Sequence, residues 1–124
     1  MPDIHLVIDE STETACVADI DYVLENKEDI NEDLDELLYE DLFTTPYIAF
    51  ERVRVLFEEY GIVLGNVFLE GEFGDVVFDL YEDDIDTGMH IFFIYELNDE
   101  GFYDIVCSLA DDEELEIALD EFGE

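Results

Sequence analysis

The chain has 124 residues and a formal net charge of −35, from 38 acidic residues against three Lys and Arg. Hydrophobic residues make up 49% and aromatic residues 14%, which excludes a disordered acidic tail, because disorder needs few apolar and aromatic side chains as well as high charge. Such a charge repels nucleic acid and anionic membranes and attracts basic proteins, and no apolar run approaches membrane-spanning length.

Ile4–Ile8 is a short apolar run of strand length, and the start of the chain has no basic region before it, so no signal peptide is expected and the cytoplasm is the default compartment. Ser11 or Thr12 is placed to cap a helix with the stripe Cys16, Ile20, Val23 and Leu24. A second helix is expected over Glu28–Phe43, with Ile30, Leu34, Leu37, Leu38 and Leu42 on one side and an almost unbroken set of acids on the other. Like charges at i,i+4 destabilise a helix, so this one depends on the packing of its leucine stripe.

Thr45–Gly61 reads as the centre of the molecule. Thr45-Pro46 suits an N-cap and first helical position, and Gly61 suits the stop. Tyr47, Ile48, Ala49, Phe50, Val53, Val55, Leu56, Phe57 and Tyr60 cover most of the helix surface, which predicts burial nearly all round. With Arg52 and Arg54 against three acids, the segment is close to neutral in a chain that is otherwise acidic throughout.

From Ile62 the pattern turns to strands: Ile62–Leu69, Asp75–Glu82, Met89–Leu97 and Phe102–Leu109, with turns at Gly71–Gly74 and Asn98–Gly101 and a polar loop at Asp83–Gly88. Short links favour antiparallel neighbours. Asp111–Phe122 closes the chain as a helix, with Asp111 and Glu114 spaced as a capping box. The expected fold is a single α+β domain over residues 1–124. It has an antiparallel four-stranded meander, three N-terminal helices and one C-terminal helix, with the short run at Ile4–Ile8 as an additional strand.

Little in the sequence resembles catalytic chemistry. Cys16 and Cys107 have no metal spacing and sit in apolar patterns, as buried reduced thiols would; a disulfide between them stays open. His5 and His90 lie in strand-like runs outside any catalytic motif. Asp29-x-Asn31-x-Asp33 with Glu40 has the spacing of part of an EF-hand loop, but Leu34 replaces the turn glycine. Asp84-x-Asp86 before Gly88 is no better a match. No enzyme activity, metal or cofactor is expected.

The charge itself is the signal. On a folded surface of roughly 6800 Å² it amounts to about one net charge per 200 Å², within about a factor of two of B-DNA. In charge and size the whole chain resembles the DNA-mimic class, small hyperacidic inhibitors of phages and mobile elements. Members occupy the DNA groove of restriction enzymes, CRISPR effectors, uracil-DNA glycosylase or nucleoid proteins. The resemblance implies a basic DNA-binding protein as partner, with no direct contact to nucleic acid or membrane. Carboxylates accept bidentate bonds from Arg much as phosphates do. The candidate phosphate substitutes are Asp29, Glu32, Asp33, Glu36 and Glu40 along one helix, and Asp75 and Asp79 on a strand, with Tyr81, Phe92 and Ile94 as apolar contacts if no helix covers them. The rival readings are an immunity protein or antitoxin against a basic nuclease, and salt adaptation in a halophile.

Overall fold

The computed structural model describes residues 12–40, 42–65, 67, 69 and 71–122; the strand expected at Ile4–Ile8 lies outside them. In chain order the elements are β1 (Thr12–Val17), α1 (Ile20–Glu25), α2 (Lys27–Glu40), α3 (Pro46–Glu59), β2 (Ile62–Leu64), β3 (Phe73–Glu82), β4 (Ile85–Leu97), β5 (Tyr103–Asp111) and α4 (Asp112–Phe122). The strands form one five-stranded sheet in the order β2-β1-β3-β4-β5. β1 runs parallel to β3, while the other neighbours are antiparallel.

The antiparallel four-stranded meander expected from the sequence is therefore wrong. Its error starts at Thr12–Val17, read as the beginning of a helix. TETACV alternates instead, burying Ala15 and Val17 and exposing Thr14 and Cys16. The helix starts later, where the Asp19 carboxylate accepts from the amides of Asp21 and Tyr22 at 3.0 and 3.3 Å. Glu82 at the end of β3 accepts from the Ile20 amide at 3.1 Å, tying α1 to the sheet. A parallel pair needs a long crossover, and α1, α2, α3 and β2 supply it between β1 and β3. The expected strand Ile62–Leu69 shrinks to Ile62–Leu64, an edge strand paired to β1.

The sheet separates two apolar clusters. The larger joins Phe78, Leu80, Ile91, Phe93 and Leu109 to Val23 of α1, Ile30 and Leu34 of α2, and Ala49, Phe50, Val53 and Phe57 of α3. The smaller lies on the other face, where Val77, Phe92 and Ile94 meet Ala118 of α4. β4 is buried on both faces because its residues alternate between these clusters. Thr45, Pro46 and Gly61 bound α3 as expected, with Gly61 at φ +81. The helix is not buried all round, however: one stripe is covered, and Tyr47, Ile48 and Val55 reach solvent. Cys16 is exposed and Cys107 is buried on the opposite face of the sheet, three strand spacings or about 14 Å away, too far for a disulfide.

β3 and β4 are joined by the two-residue turn Asp83–Asp84, with φ of 51 and 69, rather than by a loop extending to Gly88. Farther along this pair, Gly74 faces Tyr95. A Cβ at Gly74 would lie 2.5 Å from the Tyr95 hydroxyl and 2.7 Å from the ring, and that ring is buried against Phe93 and Tyr103. Gly74→Ala should therefore cost about 1–3 kcal/mol of stability, the usual penalty of overpacking, measured by urea unfolding. A variant as stable as the parent would show that Tyr95 can yield.

The open edge of β5 is closed without another full strand. The Asn31 side chain of α2 donates to the Leu109 carbonyl at 3.1 Å and accepts from the Leu109 amide at 2.8 Å. Phe43 extends this pairing through a bridge to Tyr103, whose amide donates to its carbonyl at 2.8 Å. These contacts occupy backbone groups at the two ends of the β5 edge, where they limit pairing with another chain.

Candidate acidic interaction face

α2 turns Ile30 and Leu34 into the core, with Leu37 and Leu38 partly covered, and leaves the opposite side to solvent. Helical spacing puts Glu28, Glu32, Asp35 and Tyr39 in one outward row and Asp29 and Glu36 beside it, all exposed. Successive carboxylates four residues apart are separated by about 6 Å of rise, the length scale of neighbouring phosphates along a DNA strand. Lys27, the base of this helix, ion-pairs with Glu114 of α4. Arg54 pairs with Glu51 at 3.2 Å, and the Arg52 guanidinium lies 5.8 Å from the centre of the Phe43 ring. The outward row is consequently a surface of one sign.

Not all the carboxylates singled out from the sequence share this outward face. Glu32 lies in the row, and Asp29 and Glu36 lie beside it. Asp33 turns toward α3 and accepts a hydrogen bond from the Tyr60 hydroxyl at 2.7 Å. That bond, reinforced by burial and by the charges of Asp33 and Asp29, pushes the Tyr60 phenol up to about 12. Glu40 ends the helix, and its side chain lies outside the described residues. Asp75 and Asp79 are on the far face of the sheet, so they cannot extend the α2 row. Asp75 is half-buried, and loss of solvent raises its pKa. Asp79 is bonded to His90 at 2.7 Å. Phe92 and Ile94, expected as apolar contacts, are buried in the cluster that α4 covers, and Tyr81 is half-buried.

The structure adds apolar groups that were not singled out. Tyr39 is 90% exposed and Leu42 74% exposed, at the C-terminal end of the acidic row. They border a groove between α2 and β5 whose lining includes Leu38, Phe102, Ile105 and Val106, with Asp35 and Asp104 among its acids. Tyr39 was recognisable in the sequence from its i, i+4, i+7, i+11 relation to Glu28, Glu32 and Asp35; Leu42 was hidden by its fit to the leucine stripe.

The EF-hand-like spacing cannot wrap an ion, because residues 29–33 are continuous helix and both Asn31 and Asp33 are engaged elsewhere. Among the described residues no three His, Cys, Asp or Glu converge as a metal site. No helix among them is long and apolar enough to cross a membrane. Burial drives the Cys107 thiol above its ordinary range, which leaves it a poor nucleophile. Compared with known proteins, the chain matches no family model, no curated protein and no solved structure.

Proposed function

We propose that the protein is a DNA mimic that binds the basic DNA groove of a nuclease, restriction or CRISPR effector, or other DNA-binding protein, and inhibits it by occupancy rather than catalysis. The observation that carries this reading is the outward face of α2, where Glu28, Asp29, Glu32, Asp35 and Glu36 stand together without a base among them. The whole surface points the same way: 35 net charges on 7626 Å² is about one per 220 Å². A groove lined with Lys and Arg focuses positive potential, and a ligand of this density is drawn into it.

Charge supplies association rate and orientation more than affinity. Tyr39 and Leu42, beside the acids, can supply apolar contacts that a phosphate backbone lacks, and Tyr is among the residue types enriched where a partner fully covers them at an interface. The test is a titration against a DNA-cleaving partner. Cleavage should stop at a one-to-one molar ratio, with the inhibitor recovered unchanged. Inhibition that continues at far less than one equivalent would mean turnover and would refute the proposal.

A further inference from the structure

We propose that His90 is a proton-controlled clasp that holds α4 against the second face of the sheet. His90 is 9% exposed on β4. Its Nδ1 lies 2.7 Å from Asp79 Oδ1 on β3, and its Nε2 is hydrogen-bonded to Asp112 Oδ1 in the first residue of α4. Both ring nitrogens therefore meet a carboxylate. An ionised carboxylate only accepts hydrogen bonds, so both contacts form together only when the imidazole carries two protons. The neutral ring has one N–H, and its bare nitrogen would face a carboxylate oxygen, lone pair against lone pair.

The surroundings favour the charged form. Burial works against the charge, but the hydrogen bonds to Asp112 and Asp79, with the negative charges of both, outweigh it and raise the pKa above its usual value. The charged groups facing the ring are Asp79 from β3 and Asp112 from α4. β5 places Ala110 beside it, and Tyr81 follows Asp79 on the same face of β3. On α4, Glu114 is already engaged by Lys27 and the Asp111 amide. Arg52 and Arg54 are on α3, on the other side of the sheet.

This clasp matters because α4 is otherwise weakly held. The helix carries Asp112, Glu113, Glu114, Glu116, Asp120 and Glu121 and no base, and it lies on an acidic body. Its described side chains include one buried residue, Ala118; Leu115 and Leu119 are partly covered, and Ile117 is 59% exposed. Among the described residues its cationic contacts are Lys27 to Glu114 and His90 to Asp112. A histidine whose pKa is raised by folding stabilises fully below its unfolded value, about 6.5, and that contribution is lost as pH rises through the folded value. On the alkaline side α4 loosens over Val77, Phe92 and Ile94.

The experiment is an NMR titration of nitrogen-15-labelled protein with amide exchange, corrected for intrinsic rates, from about pH 6 to 9. Expected are an imidazolium protonated on both nitrogens above the ordinary histidine value and a loss of α4 protection of about tenfold or more as it deprotonates. That loss corresponds to one charge-assisted hydrogen bond. The β3–β4 amides should keep their protection. Asp112→Asn, at an exposed position, should lower the His90 titration and flatten the pH response of α4. A His90 titrating at or below the ordinary value would overturn the proposal. So would α4 protection that ignores the titration, or an Asp112→Asn variant with the parent's curve.

Discussion

Neutralising the outer face of α2 with Glu28→Gln, Asp29→Asn, Glu32→Gln and Glu36→Gln together should slow association with a basic partner by about tenfold or more in low salt, while the protein stays folded. Electrostatic steering changes association rates by about 10–1000-fold, and these four charges lie together on the exposed face of α2. Two opposing effects keep the fold near its starting stability. Repulsion within the pairs Glu28–Glu32 and Glu32–Glu36 is relieved, at about 0.2–0.5 kcal/mol each. Glu28 and Asp29 stand in the first turn, where acids favour the helix dipole by about 0.3–1 kcal/mol each, and that contribution is lost. Stopped-flow association at several salt concentrations, beside a urea melt, measures both. An unchanged rate would move the contact surface away from α2.

Asn31→Ala should have the largest effect on stability of any single polar substitution on α2, about 2–3 kcal/mol. Its side chain satisfies both the amide and the carbonyl of Leu109 on the outer edge of β5. Truncation leaves two partly buried backbone groups without partners, each costing about 1–3 kcal/mol before water compensates. Asn31→Asp keeps the acceptor for the Leu109 amide but sets a carboxylate oxygen against the Leu109 carbonyl, so it should also destabilise in urea unfolding. A loss below about 0.5 kcal/mol for the alanine variant would mean that water replaces the side chain freely. The same variant exposes a strand edge and should raise the tendency to self-associate.

Local signals in the sequence were read well where one residue type has one physical use. Thr45-Pro46 and Gly61 bounded α3, and Asp111 with Glu114 formed the reciprocal bonds of a capping box at 2.8 and 3.1 Å. The alternation of Val76, Phe78 and Leu80 with Val77, Asp79 and Tyr81 within the expected strand Asp75–Glu82 matches the two faces of β3. Signals that depend on distant partners were not legible. Thr12–Val17 is held as a strand by β2 and β3 on either side, and its short alternation of small residues is a weaker local signal than the helix cap that Ser11 or Thr12 offers in the sequence. The outward exposure of Ile48 and Val55 on α3 follows from which side meets the sheet, which composition does not specify.

The candidate site divided in the same way. That Asp29, Glu32 and Glu36 share a face follows from helical spacing alone. The engagement of Asp33 by Tyr60, 27 residues away, and of Asp79 by His90 and through it Asp112, follows from tertiary contact. In a chain with 38 acids, sequence identifies the excess of charge, and packing determines which carboxylates remain available.

DNA mimicry is tested most directly by competition. The protein is titrated against a DNA-binding partner holding a labelled duplex, at several salt concentrations, and displaced duplex and bound protein are counted together. Mimicry predicts mutually exclusive binding at every salt concentration, because both ligands need the same basic groove and repel each other in it. It also predicts a shallower salt dependence than that of DNA, since DNA binding is driven by release of condensed counterions and the protein adds apolar contacts through Tyr39 and Leu42. A ternary complex, with protein and duplex on one partner at the same time, would contradict the account.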